Sequence, residues 1–277
     1  MSTLPAAPAA TRTDRPTQPD RPGPPDRRLP ALGGFAPAVL GIELRRVLRN
    51  RRTLAFTLIM PAVFFLIFGL PQRGQTLDNG RPVTAYVMIS LAVYAAMVAT
   101  TSAGGAVATE RALGWSRQLR LTPLRPTAYV ATKVATAMTL GLLAVVIEFV
   151  VGAAAGVRLP LDVWLLSGLA AWLGSLVFAA FGLFIGYLVP AENVMQFIGP
   201  ILAVLAMFGG LFVPVEVLPH VLQQAAKFTP VYGMGELARA PLTGDGISMA
   251  GVANMVFWTL AFGIGAARLF RRDTARV

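Results

Sequence analysis

Glu148 stands alone among apolar residues, inside the run from Ala128 to Val157. An ionisable group at membrane depth costs on the order of 3 kcal/mol, so its carboxyl must face protein or water. Two roles are open to it. It contacts a cationic substrate, or it is a structural carboxyl held by a neighbouring helix or wetted near the outer surface. Other chemistries lack their parts. There is no Cys, which excludes disulfides and thiolate metal sites, and His220 is the only histidine, so it has no second His for a metal pair. A phosphate loop ends in Gly-Lys-Ser/Thr, but Lys133 follows Thr132 and Lys227 follows Ala226. The chain cannot hydrolyse nucleotide by that route. Nor does it carry paired catalytic residues at membrane depth, so no catalytic residue, metal ligand or cofactor of its own is expected.

The elements that must position Glu148 follow from composition. Hydrophobic residues make up 55% of the 277 and charged ones 13%, too apolar for a surface that must stay wet. A span needs about 20 apolar residues. Six stretches qualify: Thr53 to Leu70 with a kink expected at Pro61, Val83 to Ala108, Ala128 to Val157, Val163 to Val189, Val194 to Val213 and Ile247 to Phe270. Before them, the residues from Met1 to Pro30 hold eight prolines and cannot build a helix or a core. No apolar segment follows the early arginines there, so this is no signal peptide. From Phe35 to Arg52, apolar residues recur at helical spacing among five arginines, as in an amphipathic helix lying on a membrane face. The expected fold is an all-α membrane protein, with residues 1–33 a disordered Pro-rich tail and residues 34–277 one six-span domain.

Basic residues stay on the cytoplasmic side during insertion, so counting them in alternate flanks gives the topology. One side holds nineteen: ten arginines up to Arg52, then Arg111, Arg117, Arg120, Arg125 and Lys133, then Arg268, Arg271, Arg272 and Arg276. The other holds five: Arg73, Arg81, Arg158, Lys227 and Arg239. Both termini are thus expected in the cytoplasm, with the chain in the cell membrane. The net charge of +11 sits in clusters beside apolar runs, a pattern that fits lipid headgroups and not nucleic acid.

Two connections stand out. Between the second and third stretches, the sequence TERALGWSRQLRLTPLRPT reads as a two-turn helix from Leu113 to Leu121, ended by Thr122 and Pro123. Leu113, Trp115, Leu119 and Leu121 offer apolar contacts to a partner's groove. Between the fifth and sixth, Pro214, Pro219 and Pro230 divide the chain into short helices expected to dip into the outer headgroup region. Gly152 with Gly156 and Gly182 with Gly186 have the spacing that lets helices approach closely, which generic packing also explains. Phe64, Phe65 and Phe68, and Phe178, Phe181 and Phe184, read as core or lipid contacts ahead of a cavity wall.

The phrase from Glu110 to Pro123 resembles the loop before the third span in type-2 permeases of ABC transporters, above all the drug and antibiotic exporters. Phe208-Gly209-Gly210 through Pro214, Leu218-Pro219 and Phe228-Thr229-Pro230 resembles the external signature of that family, and Arg45, Arg46, Arg49 and Arg51-Arg52 with Pro61 resemble its lead-in to the first span. The resemblance implies two permease subunits side by side, as a homodimer or heterodimer, each served by a separate ATPase subunit that holds the ATP and Mg. Glu110, Arg111, Gly114, Arg117, Leu119, Leu121, Thr122 and Pro123 would then form the coupling segment that engages the ATPase. Export of an amphipathic drug or natural product leads. A lipid-linked glycan exporter, a self-powered secondary transporter and an intramembrane enzyme are the competing classes.

Overall fold

The computed structural model describes residues 37–50, 54–114 and 126–275. The Pro-rich tail, Arg51, Arg52 and most of the connection before the third span lie outside the described residues, including Arg117, Leu119, Leu121, Thr122 and Pro123. Among the described residues the regular structure is helical, joined by turns and loops, with one isolated bridge between Thr76 and Pro82. Six helices among these residues are long and apolar enough to cross a membrane.

Helix α1 covers Pro37–Arg49 and leads to the first span, α2, over Ala55–Gln72. In α2, Pro61 starts a single α-helical stretch, Met60–Phe64, flanked by π-helical turns at Ala55–Ile59 and Phe65–Gly69. A proline lacks the N–H that the helix ladder needs, and the wider turns absorb the register change. The second span is α3, Val83–Gly105, continued after a bend by α4, Val107–Ala112. The third is α5, Pro126–Ala154. The fourth is broken at Ser175 into α6, Leu161–Gly174, and α7, Leu176–Leu188. The fifth is α8, Ala191–Phe208, and the sixth is α11, Met249–Ala275.

Between the last two spans, the prolines divide the chain as expected, giving a 3-10 turn at Val215–Val217, α9 at His220–Lys227 and α10 at Pro230–Thr243. Helix α10 packs against α6, α11 and α3, with Val231, Met234 and Ala238 fully buried. Small residues explain this. Gly233 and Gly251 leave no room for a Cβ between α10 and α11, so the two backbones meet.

The second and fourth spans are the most buried, and the first, fifth and sixth present mostly exposed apolar faces. In lipid, apolar side chains gain little by leaving the solvent, so helices associate through close packing and hydrogen bonds. Gly182 and Gly186 supply the closeness. Gly182 abuts the Thr101 carbonyl, and a Cβ on Gly104 would lie 2.8 Å from the Leu183 nitrogen. Gly152 and Gly156 do something else: Gly152 sits under the Met88 side chain, and Gly156 follows the end of α5. Trp172 Nε1 donates to the Met138 carbonyl at 2.8 Å, tying the fourth span to the third. Helix α1 places Leu44 and Val47 against the α3 and α5 cluster of Ala95, Ala99, Leu140 and Ala144, and leaves Ile42 and Leu48 exposed.

Candidate functional site

At the end of the bundle that gathers α1, α4 and the last turns of α11, two adjacent residues fasten five elements together. Glu110, on α4, is 4% exposed. Its carboxylate accepts hydrogen bonds from Tyr129 Oη at 2.6 Å and Lys133 Nζ at 2.6 Å, both on α5, and from Arg46 on α1. Lys133 is as deeply buried and also pairs with Glu43 of α1 at 3.0 Å, while Glu43 reaches Arg46 at 3.4 Å. Two acids thus face two bases, with the Lys133 ammonium 5.3 Å from the centre of the Tyr129 ring. Burial works against the Arg46 charge, but the bond to Glu110 and the charges of Glu110 and Glu43 outweigh it and raise its pKa above the ordinary value.

Arg111 works in the other direction. Its guanidinium forms a two-pronged pair with Asp273 of α11, at 3.1 and 2.7 Å. It also donates to the carbonyls of Gly186 and Tyr187, at 3.0 and 3.1 Å, and lies 5.4 Å from the centre of the Tyr187 ring. Those carbonyls end α7 and would otherwise lack partners, so one side chain caps the fourth span and joins the second to the sixth. Leu113 forms a turn and is 77% exposed, and Gly114 follows with φ of +73°, a left-handed conformation that stops the helix. The helix expected from Leu113 therefore cannot begin there, because these two residues close the second span.

Of the residues read as coupling positions, Glu110 and Arg111 are thus internal fasteners and Gly114 is the stop beyond them. Glu43, Tyr129 and Asp273 were not singled out from the sequence. A signal existed for each acid: Glu43 precedes Arg46 by three residues in a helix, and Asp273 is the lone acid among Arg268, Arg271 and Arg272. Behind the cluster, a cavity of about 250 Å³ opens between α1, α2 and α3, lined by Arg46, Asn50, Thr57, Ser102 and Glu110.

Glu148 is elsewhere. It is 1% exposed within the bundle, and neither carboxylate oxygen has a hydrogen-bond partner among the described residues. Ser167 on α6 is also fully buried, with its hydroxyl unpartnered. Arg239 of α10 is also buried inside the bundle. It donates to Ser90 Oγ and the Gly210 carbonyl, both at 3.2 Å, and its guanidinium carbon sits 4.9 Å from the centre of the Tyr86 ring. At the opposite end of α3 from the charge cluster, a cavity of about 1000 Å³ is lined by Phe64, Phe68, Tyr86 and Phe212 together with Asp78 and Asp245. Two of the first aromatic trio therefore line a cavity, where core or lipid contact was expected, while Phe65, Phe178 and Phe181 belong to the core.

Six apolar helices, fastened by charge at one end and enclosing a cavity at the other, define a multi-pass α-helical membrane protein. The chain belongs to the ABC-2 type transporter family, whose model matches residues 38–242. It is 27% identical over 235 residues to the "Putative transport permease YvfS" of Bacillus subtilis (strain 168), covering 84% of this chain and 96% of that protein. It is accordingly a membrane transport permease subunit, and not itself an enzyme.

Proposed function

We propose that the chain is the membrane-spanning half of an ATP-driven exporter, with both termini in the cytoplasm of a cell-membrane complex and the energy supplied by a separate ATPase subunit holding ATP and Mg. The observation that carries this reading is the fastening of α1, α4, α5, α7 and α11 through Glu110 and Arg111, directly before the connection at residues 115–125. A push delivered to that connection reaches α1 and the second, third, fourth and sixth spans through these bonds, because the groups that transmit it are paired with one another. Arg117, Leu119, Leu121, Thr122 and Pro123 are the proposed contact with the ATPase. Substrate enters the scheme by binding more tightly to one of the two bundle states than to the other.

Replacing Leu119 and Leu121 by Asp tests the contact. Loss of co-purification with the ATPase is expected, and a complex that survives the change overturns the coupling assignment. Exposed apolar residues on the first, fifth and sixth spans, among them Phe56, Ile67, Phe197 and Phe257, support a second permease subunit, identical or different, with lipid covering the remainder. The aromatic lining of the cavity of about 1000 Å³ favours a drug, antibiotic or similar amphipathic substrate over a lipid-linked glycan. On this reading Glu148 belongs to the substrate path, supported by its unpartnered oxygens at membrane depth. Glu148→Gln checks that role in a transport assay with the paired ATPase, and unchanged export of cationic and neutral substrates alike would remove it.

A further inference from the structure

The cavity at the end opposite the charge cluster has a sidedness of its own. Its wall is aromatic and comes from three separate segments: Phe64 and Phe68 from α2, Tyr86 from α3 and Phe212 from the turn after α8. Tyr94 joins this wall from behind, with ring centres 4.9 Å from Phe212 and 6.5 Å from Phe64. The rim is acidic. Asn79 Nδ2 donates to the carbonyls of Thr243 at 2.8 Å and Leu242 at 3.3 Å, which ties the loop after α2 to the end of α10. That tie brings Asp78 and Asp245 to one cavity. Neither carboxylate has a hydrogen-bond or ion-pair partner among the described residues. No arginine among the described residues lines the cavity: Arg81 and Arg73 share the loop with Asp78 but lie outside the lining, Arg73 donating to the Ala155 carbonyl, and Arg239 is engaged with Ser90 and Gly210 beside Tyr86.

Two exposed, unpaired carboxylates on the rim of one cavity attract a positive charge. Aromatic faces attract a cation as well, and they shelter an apolar body. A bare metal ion would find few oxygen ligands on such a wall, and an anion would meet the carboxylates first. We propose that this cavity binds a monovalent organic cation with an aromatic or alkyl body, its charge at Asp78 and Asp245 and its body against Phe64, Phe68 and Phe212. The volume suits a drug-sized molecule. As a substrate site the cavity rests on the exporter reading, whereas binding itself does not.

The test uses the full chain in nanodiscs of zwitterionic phospholipid, with tetraphenylphosphonium as the cation and triphenylphosphine oxide as a neutral probe, and with empty discs subtracted. Saturable binding of the cation is expected. The double variant Asp78→Asn with Asp245→Asn should bind it about tenfold more weakly, a loss of about 1.4 kcal/mol, and should bind the neutral probe as the parent does. Phe212→Ala should weaken both probes. Equal affinity of parent and double variant for the cation, a preference for the neutral probe, or no saturable binding would each overturn the proposal. No ATPase is present in this measurement. A chain that binds the cation but fails to co-purify with an ATPase contradicts the exporter reading alone, and the reverse result contradicts the cavity alone.

Discussion

The two ends of the bundle handle charge in opposite ways. Where α1, α4 and α5 meet, Glu43, Glu110, Arg46 and Lys133 are matched acid to base, and Arg111 closes on Asp273. At the far end Asp78 and Asp245 have no partners among the described residues, and Arg239 rests on neutral acceptors and a ring. The first arrangement is complete in itself and resists change, because removing one member strands a charge in a dry site. The second is incomplete until something arrives. Which polar groups are satisfied thus separates the part that transmits force from the part that receives a ligand.

Substitutions on either side sharpen this contrast. Glu110→Ala should have the largest effect, destabilising the chain by about 3 kcal/mol because Lys133 and Arg46 lose their shared partner. Thermal unfolding in detergent measures it, and a variant that melts with the parent would mean that this end is not latched. Asn79→Ala should cost about 1 kcal/mol, the usual net worth of a hydrogen bond. Hydrogen exchange should quicken in residues 73–82 and stay unchanged in residues 107–112. If both regions respond, the two ends are not separable units. Asp273→Asn should cost roughly 1 kcal/mol or less, since the pair with Arg111 is partly exposed. The smallest effect is expected from Asp78→Asn with Asp245→Asn, within about 0.5 kcal/mol, as for surface groups without partners. A marked change of stability there would show that these carboxylates are structural.

The spans were legible because a bilayer imposes length and polarity on any helix that crosses it, and those are properties of single segments. What one segment cannot reveal is which of its faces meets another. Phe64 and Phe65 are neighbours in an apolar run, yet the first lines a cavity and the second is fully buried. The packing of α10 was hidden for a similar reason. Pro214, Pro219 and Pro230 mark where the short helices divide, but only the close approach of Gly233 to Gly251 shows which neighbour α10 meets. Glu110 and Arg111 were recognised by their position before a connection. Their actual partners, Tyr129, Lys133 and Asp273, come from two other helices and have no fixed spacing from them.

The placement of α10 also bears on how the protein is made. Each of the six spans can leave the insertion machinery as a self-sufficient helix, but α10 is too short and too interrupted by Gly and Pro to do so. It carries Arg239 into a niche walled by α3, α6 and α11, the last of which is synthesised after it. The acidic cavity depends on the end of α10 through Asn79, so that chamber is finished only when the newly made chain has its final helix in place.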